Sequence, residues 1–138
     1  MDFCKITIVG RITRDPELRH LPNGTAVCDL NMAYNRRYTG SDGNKVEETA
    51  WFHVSVFGKM AETCVKYLSK GREVLVEGIP MPDRATGNPR IWVDNDGNPR
   101  STFDVKALNV QFGSGGKNSN TGSQDSDDSE YGDSEPVF

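Results

Sequence analysis

Residues 51–57, WFHVSVF, alternate with a period of two. Phe52, Val54 and Val56 form one apolar row, as in a strand that turns one face to a core. The other row, Trp51, His53, Ser55 and Phe57, mixes two large rings with polar groups. A face given over to water has no need of rings, so this row requires a purpose of its own.

The same period runs through most of the chain. Residues 3–12, FCKITIVGRI, are β-rich and read as a first strand. HLPNGT (20–25) supplies turn chemistry, and a second strand follows over residues 26–38, with Cys28, Leu30, Met32 and Tyr34 on one side. TGSDGNK (39–45) is a hairpin connection centred on Asp42-Gly43, and WFHVSVF lies in the third strand. Over residues 59–71 the period changes: Ala61, Cys64, Val65 and Leu68 fall at i, i+3, i+4 and i+7, the stripe of an amphipathic helix, with Gly71 suited to its C-terminal cap. REVLVEGIP (72–80) is a fourth strand. Residues 81–100 read as a long, mobile hairpin turning at Asp96-Gly97, with Trp92 on it. STFDVKALNVQF (101–112) is a fifth strand, whose alternation slips between Val105 and Leu108 and so predicts a bulge. The fold class is therefore all-β. Five strands with one helix between the third and fourth is the order of an OB-fold, a small, partly open barrel that binds oligonucleotides and oligosaccharides.

From Gly113 onward the pattern disappears. Residues 113–138 hold Tyr131, Val137 and Phe138 as their only sizeable apolar groups. Too little surface is available there to offset the entropy of ordering, so the segment is expected to be a disordered Gly/Ser/Asn linker with an acidic tip. Residues 1–112 are then the folded domain. The charge divides at the same place. Residues 1–112 carry 15 Lys and Arg against 14 Asp and Glu, whereas residues 113–138 carry Lys117 against six acids, within a net charge of -4. The body cannot bind by gross basic charge, and local patterning must decide. The chain of 138 residues has no apolar run of membrane-spanning length and no signal or transit composition at MDFCKITIVGR. Its three cysteines, Cys4, Cys28 and Cys64, form no CxxC, so neither a disulfide framework nor a metal site is expected, and the reducing cytoplasm is the expected compartment. No cofactor is expected.

Every nucleobase has a π-face, so an exposed ring is a stacking platform indifferent to sequence. Such stacking contributes about 1–3 kcal/mol per base, a range established on proteins of this kind. Duplex bases are already stacked, so ring platforms select single strands if positive charge nearby follows the phosphates. Trp51 and Phe57, six residues apart on one strand, stand about 20 Å apart. Arg36, Arg37 and Tyr38 end the second strand, and Arg90 precedes Trp92 in the hairpin. Lys5, Arg19, Lys59, Lys70 and Arg72 are further candidates for the phosphate path. Against this stand plainer roles: Trp51 and Phe57 equally suit packing beneath the 81–100 hairpin or in a subunit interface, and loop rings such as Tyr38 and Trp92 often pin their own loops.

PELRHLPNG (16–24), ETAWFHVSVFGKMAE (48–62), YLSKG (67–71) and VEG (76–78) closely resemble the bacterial-type single-stranded DNA-binding proteins. The resemblance covers about residues 3–112, and the acidic tail repeats the family's layout. It implies a homotetramer that wraps single-stranded DNA, with Trp51, Phe57, Tyr38 and Trp92 as stacking rings and Lys5, Arg19, Lys59 and Lys70 as matching basic positions. It also implies a C-terminal tip that recruits DNA replication and repair proteins, here Asp133, Glu135, Pro136, Val137 and Phe138. Two features depart from the family's pattern. Residues 79–91 are longer than usual and carry Pro80, Met81 and Pro82 where relatives often have basic residues. The tail proline also falls one place early.

The resulting expectation is a non-enzymatic, sequence-independent single-stranded DNA-binding protein of replication, recombination and repair, in a bacterial cytoplasm or nucleoid, or in the host cytoplasm if phage-encoded. An OB-fold module binding RNA or only protein partners is the alternative. A hydrolase built on His53 and Ser55 is a third reading, although no orienting third group or nucleophile elbow accompanies them.

Overall fold

The computed structural model describes residues 1–113. Residues 114–138, on which the expected linker and acidic tip fall, lie outside the described residues. The order of elements is β1 (Ile6–Ile12), β2 (Glu17–His20), β3 (Ala26–Thr39), β4 (Lys45–Phe57), α1 (Lys59–Tyr67), β5 (Glu73–Pro80), β6 (Ile91–Val93), β7 (Pro99–Ser101) and β8 (Phe103–Phe112).

The two longest strands, β3 and β4, pair antiparallel from Val27 opposite Phe57 to Thr39 opposite Lys45. β4 then pairs in parallel with β8, β8 antiparallel with β5, and β5 antiparallel with β1. The circuit closes where β1 returns to β3, with Arg11 opposite Ala33 and Ile12 opposite Met32. These five strands are the barrel, and α1 lies between its third and fourth strands, as the sequence pattern predicts. Closure depends on Gly10: a Cβ there would come 2.5 Å from the Ala33 carbonyl oxygen, so a side chain would hold β1 away from β3.

The apolar row of the opening stretch fills the barrel. Val54 and Val56 pack with Cys28, Leu30 and Met32 of β3, Val74 and Val76 of β5, Ile8 and Ile12 of β1, and Val105 of β8. Phe52 sits at the margin, its ring 5.3 Å from that of Phe103. Ala61, Cys64 and Leu68 bring the helical stripe onto the same core. Burial pushes the Cys28 thiol up to about 12 and the Cys64 thiol up to about 11, so both are neutral packing groups rather than nucleophiles.

Three details differ from the sequence pattern or sharpen it. The helix ends earlier than Gly71: Leu68 takes an extended conformation, donates its N–H to the Cys64 carbonyl and drops its side chain into the core. Gly71, at φ 93°, instead turns the chain into β5. The bulge falls as expected, with Leu108 left over between Ala107 opposite Gly78 and Asn109 opposite Glu77. The short strand β2 was not expected. All four of its residues are exposed, and it adds to the edge of β3 with Arg19 opposite Val27.

Candidate nucleic-acid interface

Strand pairing fixes which side chains share the outer face. Cross-strand partners lie on the same side of a sheet. The row Trp51, His53, Ser55 and Phe57 is therefore flanked on β3 by Ala33, Asn31, Asp29 and Val27. On β8, Asp104 lies opposite His53 and Lys106 opposite Ser55. Trp51 is 60% exposed and Phe57 37% exposed, so the two rings mark the ends of an open strip. The Lys106 ammonium stands 5.4 Å from the Phe57 ring centre.

Tyr38 does not join that strip. It pairs with Val46 and belongs to the row of Leu30 and Met32, the row that faces inward within the barrel. Residues 34–39 and 45–50 pair only with each other, forming a two-stranded ribbon beyond the barrel, so this row is open there. The Arg36 guanidinium lies 4.5 Å from the Tyr38 ring centre and bonds Glu48 at 3.1 Å, and Tyr38 Oη donates to the same carboxylate at 3.2 Å. Arg37 belongs to the row of Trp51 and is paired with Glu47 at 3.1 Å.

Trp92 is carried on the β6–β7 hairpin and is 41% exposed. Arg90 ties it to the barrel: its guanidinium lies 4.8 Å from the Trp92 ring and its Nε donates to Asp104 Oδ2 at 3.1 Å. The 81–90 segment folds back on the start of β8, where the Met81 N–H donates to the Asp104 carbonyl. Among the other predicted cations, Lys5 is paired with Glu77 at 3.4 Å and Arg19 with Asp29 at 2.9 Å. Lys59 opens α1, and Lys70 lies in the turn before β5, its backbone N–H bonded to Asp15. Arg72 bonds the carbonyls of Gly113 and Tyr67, holding the ends of α1 and β8 together.

The middle of the strip carries a network that sequence reasoning missed. His53 Nε2 lies 3.1 Å from Asp29 Oδ1, and His53 Nδ1 lies 3.1 Å from Asp104 Oδ1. Arg19 and Arg90 bind the far sides of those carboxylates, giving a ladder Arg19–Asp29–His53–Asp104–Arg90 across the sheet. Burial pushes the Asp29 carboxyl up, but the Arg19 hydrogen bond and charge, with His53, outweigh it and hold the group below the usual range. The hydrogen bond that Arg19 donates to Asp29 in turn raises the pKa of its guanidinium. Neither ring nitrogen of His53 is bonded to Ser55, so the pair lacks the contact a nucleophile and its base require. Among the described residues no three His, Cys, Asp or Glu side chains are grouped to hold a metal ion. No helix among them is long and apolar enough to cross a membrane.

A closed five-strand barrel with a helix between its third and fourth strands, and a ring-bearing outer face, defines an OB-fold protein. The model of the single-strand binding protein family matches residues 3–113, and the chain belongs to that family. The single-stranded DNA-binding protein of Neisseria meningitidis serogroup A is 34% identical over 122 residues, which are 88% of this chain and 66% of that protein. That of Aquifex aeolicus is 49% identical over 74 residues, 54% of this chain and 50% of that protein. Among solved structures, a deletion mutant of the single-stranded DNA-binding protein from Thermus aquaticus superposes with a TM-score of 0.64 at 28% identity, covering 82% of this chain and 51% of that one. The matched region thus spans half to two thirds of the length of these relatives.

Proposed function

We propose that this chain binds single-stranded DNA without regard to sequence and protects it during replication, recombination and repair. The observation that carries the reading is the outer row of β4, where two exposed rings, Trp51 and Phe57, bracket an open strip on a rigid sheet. Trp51 and Phe57 stack bases on the strip, Trp92 adds a platform from the hairpin, and Tyr38 serves a strand leaving along the other row of the ribbon. Lys5, Arg19, Arg36, Arg37, Lys59, Lys70, Arg72 and Arg90 are the candidate cations for phosphates, of which Lys59, Lys70 and Arg72 have no carboxylate at ion-pair distance among the described residues. Support comes also from the relatives, which carry the name single-stranded DNA-binding protein.

In this reading residues 1–112 are the binding domain and act as a homotetramer in the cytoplasm, with no catalytic role. Residues 113–138 are a linker and tip through which Asp133, Glu135, Pro136, Val137 and Phe138 engage replication and repair proteins. An apolar terminal ring among acids suits a pocket rimmed by Arg or Lys.

The test is fluorescence anisotropy with labelled oligo-dT, oligo-U and a duplex of equal length, using the full chain and the variant Trp51→Ala/Phe57→Ala. The full chain should prefer oligo-dT to duplex, and the variant should lose about 2–6 kcal/mol of binding, because two platforms are removed. Equal affinity of both proteins would sink the stacking roles. Preference for oligo-U would move the ligand to RNA, and no binding at all would leave a protein-only module.

A further inference from the structure

The middle of the proposed strip, around His53, is electrically self-cancelled, whereas Lys106 beside the Phe57 ring has no carboxylate at ion-pair distance among the described residues. Between the Trp51 and Phe57 rings lie Asp29 and Asp104, each holding one guanidinium and one face of the His53 ring. Asp29 accepts from Arg19 Nε at 2.9 Å and Arg19 Nη2 at 3.4 Å, and its Oδ1 lies 3.1 Å from His53 Nε2. Asp104 accepts from Arg90 Nε at 3.1 Å and Arg90 Nη2 at 3.5 Å, and its Oδ1 lies 3.1 Å from His53 Nδ1. Two carboxylates therefore cancel the two guanidiniums that would otherwise attract phosphate to the centre of the strip.

A phosphate arriving there meets a carboxylate, and the arginine beside it already has a partner. A base arriving there is uncharged and gains its affinity from the rings, which need no cation. On the reading of this face as a single-strand site, we infer that Asp29 and Asp104 are specificity-determining residues: they reject polyanions that offer phosphates without free bases, and so make binding depend on unstacked bases. The repulsive element matters as much as the attractive one, because discrimination is a difference of affinities. His53 positions the two carboxylates by bridging them across β4.

The ladder crosses four strands and one connecting segment: Arg19 from β2, Asp29 from β3, His53 from β4 and Asp104 from β8, with Arg90 from the segment before β6. Its components are far apart in sequence, and only the pairing of β4 with both β3 and β8 brings them into one line. Replacing either Asp by Asn does two things in the same direction. It removes a negative charge and it frees an arginine for phosphate.

The experiment measures affinities of the full chain for a 30-mer of dT, an abasic 30-mer with the same phosphates and a 30-base-pair duplex, at one salt concentration. Asp29→Asn and Asp104→Asn should each tighten binding to the abasic strand and the duplex roughly tenfold, the size of one surface charge acting at close range. Their gain on dT should be smaller, so the ratio of dT to abasic affinity contracts. Asp29→Glu and Asp104→Glu, which restore the charge, should bring that ratio back towards the wild-type value. A role confined to holding the strands together would not show this recovery with charge.

Equal gains on all three ligands, or no gain on the abasic strand, would overturn the inference while the wild-type preference for dT leaves the single-strand reading standing. A wild-type chain that binds dT no better than the abasic strand would overturn both. Should Asp104→Asn fail to fold by circular dichroism, Asp29→Asn decides, since its carboxylate lies on the edge hairpin of β2 and β3.

Discussion

Most of the candidate phosphate contacts are already paired with carboxylates, and that sets how binding must respond to salt. Of the eight candidate phosphate contacts, Lys5, Arg19, Arg36, Arg37 and Arg90 each have a carboxylate within ion-pair distance. Among the described residues only Lys59, Lys70 and Arg72 of that set do not. Each phosphate neutralised on a single strand contributes about -0.7 to the slope of log affinity against log salt. Eight free cations would give a slope of about -5.6, whereas three give about -2.1 by the same rule. The informative perturbation is Glu47→Gln with Glu48→Gln, which unmasks Arg37 and Arg36 on the β3–β4 ribbon. Two more effective cations steepen the slope to about -3.5. These exposed pairs contribute only about 0–1 kcal/mol to stability, so the variant should fold normally. Anisotropy titrations with oligo-dT from low to moderate salt give the slopes directly. A wild-type slope near that of eight cations, or an unchanged slope in the variant, would refute the reasoning, because it would mean the carboxylates do not screen their partners during binding.

Other consequences concern the tail, the core and acid. Deleting residues 129–138 should leave affinity for single strands intact or raised while abolishing capture of partner proteins, read by anisotropy and by pull-down with defined repair enzymes; weaker DNA binding would count against the division of roles. Leu30→Ala, at a fully buried position in the barrel, should cost about 2–5 kcal/mol of stability in urea unfolding, with oligo-dT affinity per folded molecule unchanged. Asp29 has its folded carboxyl held below the unfolded value near 3.9, so its stabilisation is complete above about pH 4 and is lost as pH falls through the folded value. Asp29→Asn should therefore lose less stability than the wild type as pH falls below about 4, in acid titrations followed by circular dichroism.

The barrel was legible because its strands obey a simple period. Phe52, Val54 and Val56 announce an inward row, and the change of spacing at Ala61, Cys64 and Leu68 announces a helix on that core. The slip near Leu108 was visible for the same reason, as two inward positions brought out of phase. β2 was not legible, because Glu17, Leu18, Arg19 and His20 are all exposed and the strand exists only through its ladder with β3.

The rings of the candidate site could be read, but their arrangement and the state of the cations could not be read so directly. The period of β3 carries Tyr38 into the row of Leu30 and Met32, and counting it out would have set Tyr38 apart from Trp51. Counting back from a two-residue Asp42-Gly43 turn would have placed Arg37 opposite Glu48, one place off, because residues 41–43 make the loop and the strands pair Arg37 with Glu47 and Arg36 with Glu48. No such count reaches His53 and Asp104, 51 residues apart, whose contact depends on the parallel pairing of β4 with β8. Local patterning names the groups, while register between distant strands decides which charges remain available.

The central claim is that the rings of the outer strip stack on unpaired bases. Its most direct test is tryptophan fluorescence of Trp92→Phe, which leaves Trp51 as the only tryptophan, during titration with oligo-dT and with a duplex of equal length at two salt concentrations. Strong quenching by the single strand alone, reached at higher DNA concentration when salt is raised, is the result this structure predicts. An emission unchanged by either DNA would contradict it and leave Trp51 as a packing residue.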